Sequence, residues 1–284
     1  MSFSFKTILV PVDFSINTVV AVNKAVQVAD SHGAVIHLVH LIQAPLYLNL
    51  TRAITSQDAI DRSGHLTATQ KLEQWKSSIE QAMPGITVVP WIVMNASIRE
   101  TIEKKAMELK ADLIVIGKKS SHSLFPFLNT VVPGALAYET GAAVLTVKPG
   151  AMYNDIKTIV VPVSGVVPQH KLETLSALVG KFKVKVHLVT YVEEGGGPAE
   201  QAASSLLKVY QWLQQSLNCP VEYSVLKGNN KARALLQYAE KISADMVLVD
   251  PASETRAGWL NTHLSDLLPA DSKMQVLSVQ PASF

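Results

Sequence analysis

Residues 117–132 read GKKSSHSLFPFLNTVV and follow the apolar run Leu113, Ile114, Val115, Ile116. A glycine closing a buried strand, then two lysines and small hydroxyl residues, resembles the start of a phosphate-binding turn. Glycine lets backbone N–H groups approach an anion, and the following helix terminus and cations supply charge. The spacing is incomplete, because no second glycine appears before Gly134. Asp13, directly after the run Ile8–Val12, is the second residue with chemical promise. A carboxylate at a strand end either meets a ligand or starts a helix together with Ser15. Lys118 and Lys119 read first as solvated loop lysines and second as phosphate ligands, and His122 reads equally as an anion contact or an exposed loop residue.

The eight histidines show no HxH or HExxH spacing. His37 and His187 sit at equivalent strand positions, which points to a shared packing role rather than a metal site. Trp75, Trp91, Trp212 and Trp259 read as packing or interface residues. No serine occupies a nucleophile elbow, and no carboxylate pair has a spacing suited to acid–base work. No catalytic residue and no metal ligand are assigned, and a binding role outranks an enzymatic one.

The elements that must position these residues come in two copies. KTILVPVD begins at Lys6 and KTIVVPVS at Lys157, an offset of 151; HLV at 37–39 recurs at 187–189. ADLIVIG from Ala111 matches ADMVLVD from Ala244 at an offset of 133, and VLTVKP from Val144 matches VLSVQP from Val276 at 132. The order is kept while the offset falls by about 17 residues, a shortfall expected near residues 44–60. Two domains are expected, 1–150 and 151–284, with the boundary in the Pro-, Gly- and Asn-containing stretch 149–155.

Short β-branched runs at 7–12, 35–42, 86–93, 112–116 and 143–147 predict buried parallel strands. Helical spacing predicts helices over 18–30, 66–83 and 98–109, the last opened by a Ser97/Glu100 capping box. The second copy predicts strands near 157–163, 184–192, 221–226, 245–249 and 275–279. Such alternation implies an α/β fold: two tandem doubly wound parallel-sheet domains of flavodoxin or Rossmann type. Ligands of such sheets bind at the carboxyl ends of strands where the order reverses, which puts Asp13, residues 39–41 and Gly117 on one rim.

The chain has 284 residues, 48% hydrophobic and 17% charged, and a net charge of +2. That balance suits packed domains and argues against nucleic acid or an anionic membrane as partner. The lone cysteine, Cys219, reads as a small buried hydrophobe. No leader is visible and no apolar run nears the ~18–20 residues of a membrane helix, so a cytoplasmic protein is expected.

The segments ILVPVDFS, HLVHLI, ADLIVIG and VLTVKP together resemble the universal stress proteins in their tandem two-domain form. The resemblance implies an adenine nucleotide alpha hydrolase-like fold and two domains packed as a pseudo-dimer through their last strands. It also implies a stress-response role and an ATP motif: glycine, two residues, glycine, nine residues, then glycine with Ser or Thr. Here Gly117, preceded by Ile116, keeps the first glycine. Ser120 replaces the second, Thr130 the third, and Val131, followed by Val132, stands at the hydroxyl position. Asp13, with Pro11 and Val12 before it, fits the acidic adenosine contact, and Leu41 falls at the adenine-backbone position. Lys118 is the nearest added charge, and Pro126 suits the first turn of the next helix.

The motif is therefore degenerate. ATP or AMP is expected to be held weakly, with little dependence on phosphate number. The second copy offers Ser164, Asp250 and Ser253 at the matching positions, and a carboxylate at 250 would repel phosphate. Expected partners are the other domain of the chain and a protein of unspecified identity, with a homodimer left open. The competing function is an ATP-dependent switch or weak ATPase in the first domain, and a third is a different small ligand in the altered pocket.

Overall fold

The β-branched runs form strands, and each intervening amphipathic segment forms a helix. The structure, a computed structural model, describes residues 3–43, 57–95, 97–118, 131–163, 169–192, 199–228, 230–250 and 264–280. In chain order the first half holds β1 (Thr7–Val12), α1 (Ile16–Val28), β2 (Ala34–Gln43), α2 (Gln57–Ala82), β3 (Ile86–Asn95), α3 (Ile98–Leu109), β4 (Leu113–Gly117), α4 (Pro133–Thr140) and β5 (Ala143–Val147). The second holds β6 (Thr158–Pro162), α5 (Gln169–Lys181), β7 (Lys185–Val192), α6 (Ala199–Ser216), β8 (Val221–Lys227), α7 (Lys231–Lys241), β9 (Met246–Val249), α8 (Leu264–Leu267) and β10 (Gln275–Ser278).

Among the described residues ten strands lie in one sheet, ordered β3-β2-β1-β4-β5-β10-β9-β6-β7-β8. Within each half every pairing is parallel. The halves meet through β5 and β10, which run antiparallel with Val144 opposite Ser278, Leu145 opposite Leu277 and Thr146 opposite Val276. These are the VLTVKP and VLSVQP segments expected to pair, and their pairing makes one continuous sheet instead of two separate ones.

Helices cover both faces, and the faces differ. On one, α1, α2, α5 and α6 share a single apolar core that includes Val10, Val12, Ala25, Ile159, Leu178 and Leu277. On the other, α3 and α4 cover a core with Ile102, Ile114 and Leu136, while α7 and α8 cover a separate one with Leu235, Val247 and Leu264. Each fully buried Leu, Ile or Val contributes about 1.5–3 kcal/mol relative to exposure, so the shared core welds the halves.

Further bonds cross the join. Lys24 of α1 donates to the Asn154 carbonyl, Lys181 of α5 to the Ala29 carbonyl, and the Phe3 ring meets His170 edge-on at 5.7 Å. Gly150 permits the tightest approach: a Cβ there would overlap the Asp271 carbonyl.

The Ser97 hydroxyl accepts from the Glu100 N–H at 3.4 Å, as the capping-box spacing predicts, and Asn230 caps α7 in the same way. Two boundaries differ from expectation. The helix predicted from residue 66 begins at Gln57, and at 26 residues α2 outlasts the 18 of its counterpart α6. The 17-residue shortfall is therefore shared between the connection before α2 and the helix itself. The helix after β4 carries Pro133 at its first turn. Pro126 lies outside the described residues, as do Lys119, Ser120, His122, Thr130, Ser164, Ser253 and Trp259.

Candidate functional site

In a sheet of order 3-2-1-4-5, neighbouring crossovers leave on opposite faces between β1 and β4, which opens a crevice at their carboxyl ends. The topology brings Asp13, Leu41 and Gly117 to this rim. Pro11 and Val12 end β1 in the ladder opposite Val39 and His40. Leu41 is the first residue of β2 beyond the last β1 partner, paired only outward with Val93 and buried by its side chain.

Asp13 Oδ1 accepts from the Ser15 N–H at 2.9 Å, so its carboxylate organises the turn into α1. Between them Phe14 adopts φ 59°, a left-handed conformation that is strained for a bulky residue. Its ring packs 4.7 Å from His40 and 5.6 Å from Trp75, with the Lys71 ammonium 5.1 Å from its centroid. His40 in turn places Nδ1 2.8 Å from the Val12 carbonyl, tying the ends of β1 and β2 together. This aromatic cap was not anticipated, although an aromatic residue directly after a strand-end aspartate was a visible signal.

Gly117 is glycine for a reason beyond phosphate access. A Cβ there would overlap the backbone carbonyl of Asn17, so the first turn of α1 sits directly on the end of β4. Ile116 is wholly buried below it. Lys118 points to the other face and is 2% exposed, with Nζ 2.6 Å from Asp266 Oδ1 of α8. The lysine read as a phosphate ligand or a solvated residue is thus in an ion pair with the second half. Val131 is buried in the core beneath α3 and α4, and Val132 forms the N-cap of α4, its carbonyl accepting from Leu136 N–H at 2.9 Å.

The matching strand ends of the second half are those of β6 and β9, and a buried ion pair joins them. Lys171, in the first turn of α5 and 1% exposed, donates to the Pro162 carbonyl at 2.9 Å and to Asp250 Oδ2 at 3.1 Å. Asp250 occupies the place of Gly117. Burial pushes the Lys171 ammonium below the ordinary lysine range, and Asp250 opposes that shift.

The paired histidines do pack. His37 Nδ1 accepts from Trp91 Nε1–H at 3.0 Å, which places its proton on Nε2, and Lys105 lies 3.7 Å over the same indole. His187 contacts Tyr238 at 3.2 Å and Glu222 at 3.6 Å. Two grooves of about 270 Å³, one between α1 and α2 beside Trp75 and one near Phe3 and Lys181, lie in the helix layer away from the rim. Among the described residues no helix is long and apolar enough to cross a membrane.

Comparison with known proteins agrees with this architecture. A model of the universal stress protein family matches residues 4–148. The chain is similar to a universal stress protein of Archaeoglobus fulgidus at 17% identity and a TM-score of 0.69, over 99% of this chain and 100% of that one. It is similar to a putative universal stress protein of Pseudomonas aeruginosa at 15% identity and a TM-score of 0.51, over 98% and 94%. It is also similar to the cytoplasmic domain of a prokaryotic cation chloride cotransporter at 11% identity and a TM-score of 0.55, over 98% and 96%. At these identities the likeness is one of fold. No curated protein matches the chain.

Proposed function

The chain belongs to the universal stress protein family, and from that premise we propose that it works by binding, as a cytoplasmic stress-response protein without turnover of its own. Its division is 1–150 and 151–284, with the first domain carrying the ligand crevice and the second serving as its structural and interaction partner. One observation carries this reading: the Lys171–Asp250 pair stands where a ligand of the second crevice would lie, while the first crevice has no such plug among its described residues.

The first crevice favours the adenosine portion of a nucleotide over its phosphates. Phe14 and His40 present ring surface at the rim, against which a base can pack, and Leu41 offers backbone there. On the phosphate side Lys118 is committed to Asp266. Ser120 and Thr130, outside the described residues, replace glycines that would let backbone approach.

The test is equilibrium binding of AMP, ADP and ATP to the purified protein. Weak affinities that differ by less than about tenfold (~1.4 kcal/mol) across the series are expected. Micromolar ATP binding about a hundredfold tighter than AMP would overturn the reading. Ser120→Gly with Thr130→Gly should then raise ATP affinity selectively. Val131 is best left alone, because a serine there would enter an apolar core.

A second reading, an ATP-dependent switch or weak ATPase, draws on the Lys118–Asp266 pair, which links the first crevice to the second half. Phosphate release from ATP by the purified protein, abolished in Asp13→Ala, would favour it.

A further inference from the structure

The sheet has two outer strands, β3 and β8, and it ends differently at each. Leu38 pairs with Pro90 and Leu188 with Tyr223, so Tyr223 stands in β8 where Pro90 stands in β3. The outward edge of β3 is closed twice. The Val88 N–H donates to Glu80 Oε1 of α2 at 2.8 Å, and Pro90, two residues on, has no N–H to offer. β8 (VEYSVLK) contains no proline. Val186 pairs with Val221 and donates its N–H to the Pro220 carbonyl. Alternation therefore turns the backbone of Glu222, Ser224 and Leu226 toward β7, and that of Val221, Tyr223, Val225 and Lys227 outward. No strand of the described residues lies beyond them. The side chains are bare as well: Tyr223 is 51% and Val225 43% exposed. Tyr223 meets Tyr210 of α6 edge-on at 5.1 Å, and Leu207, one turn earlier on that helix, is also exposed.

We propose that β8 docks the β8 of a second copy of this chain, antiparallel about a two-fold axis at Ser224. In that register Tyr223 of each copy lies opposite Val225 of the other. Both residues turn their backbone outward, so each such pair exchanges two hydrogen bonds, and Val221 pairs with Lys227 in the same way. Aromatic against β-branched is a favourable cross-strand pair, and here the two exposed side chains of the edge cover each other. Charge raises no obstacle. Glu222, held by Lys185 at 2.9 Å, falls opposite Leu226, and Lys227 opposite Val221, so no like charges face across the joint. This self-complementarity selects a second copy over a foreign strand, because one patch serves both sides of a two-fold interface. The molecule already uses such a joint between β5 and β10, which leaves β8 as the edge still open. Natural sheets guard or cover an apolar edge of this kind. Seven residues a side make a small interface, so the dimer is weak and depends on concentration. β8 lies at the far end of the sheet from the first crevice, and the pairing does not rest on any ligand there.

The test is sedimentation of the full chain over a concentration series. Wild-type protein is expected to pass from monomer to dimer as concentration rises. Val225→Lys brings two like charges together near the axis and should weaken dimerisation by about tenfold or more. Its circular dichroism should stay unchanged, because the side chain it replaces is already exposed. Tyr223→Glu should weaken the dimer in the same way. Mixing the two variants should restore association as a heterodimer, since the introduced lysine of one then faces the introduced glutamate of the other. A wild type that stays monomeric throughout would overturn the proposal and leave the edge to an extended strand of another protein. A dimer undiminished in Val225→Lys would refute it by placing the contact on another surface, and variants that fail to associate on mixing would refute the two-fold register.

Discussion

At the end of β4 a glycine lets the first turn of α1 close onto the strand, and a histidine from β2 takes up the Val12 carbonyl. At the end of β9 the same place carries Asp250, and Lys171 from the first turn of α5 takes up both that carboxylate and the Pro162 carbonyl. Both halves face one problem, polar strand ends beneath a helix start, and solve it oppositely. The first removes side-chain volume and satisfies the carbonyl from the neighbouring strand. The second adds charge of both signs and satisfies it from the helix. A duplicated fold can thus keep its frame while its two copies treat matching strand ends differently.

The comparison breaks most visibly at Asp250. Asp250→Ala leaves Lys171 buried without its counter-charge and should cost about 3 kcal/mol in urea unfolding. Adding Lys171→Met should restore most of that, because an apolar side chain needs no partner there. A single-variant cost below about 1 kcal/mol would mean that the pair does not lock the second crevice.

Gly117 tests the other copy. Gly117→Ala must push α1 away from β4 and should cost about 2 kcal/mol, the usual penalty of overpacking against backbone. Tolerance within about 0.5 kcal/mol would show that the helix is not seated on the strand.

The smallest effect concerns the paired histidines. Burial lowers both below the ordinary 6.5; Lys105 lowers His37 further, whereas at His187 Glu222 raises and Lys185 more weakly lowers. In the folded state His37 should therefore titrate below His187 in an NMR pH series, and the reverse order would contradict the packing described. The sign for stability follows from a depressed folded value. As pH falls below 6.5 the unfolded chain takes up protons before the folded one, so a contribution present above 6.5 is lost on acidification.

Much of the frame was legible. Runs such as Leu113–Ile116 are apolar on both faces because both faces are covered, and the family resemblance pointed to VLTVKP and VLSVQP as the strands that join. The start of α2 was not, since residues 57–65 are mostly polar and include Gly64, which breaks helical periodicity. Site chemistry was read less well. A lysine looks the same in sequence whether solvated, as Lys118 was weighed, or buried against a carboxylate 148 residues away. Gly117 was read as an approach route for phosphate, but its neighbour Asn17 also requires it, and only the packed fold shows that contact. The left-handed turn at Phe14 likewise depends on rings contributed by β2 and α2.

The β5–β10 pairing has a consequence for how the chain is made. During synthesis β5 is complete about 130 residues before its partner emerges, and at some 5–20 residues per second that gap lasts several seconds or more. Throughout it the first half carries a bare apolar strand edge, a ready template for another nascent chain. Arrival of the last strand closes that edge inside one molecule, leaving β3 and β8 as the sheet's outer strands, and β3 is blunted by Pro90. Fusing the two copies in one polypeptide therefore replaces an encounter that depends on concentration with one that every chain reaches alone.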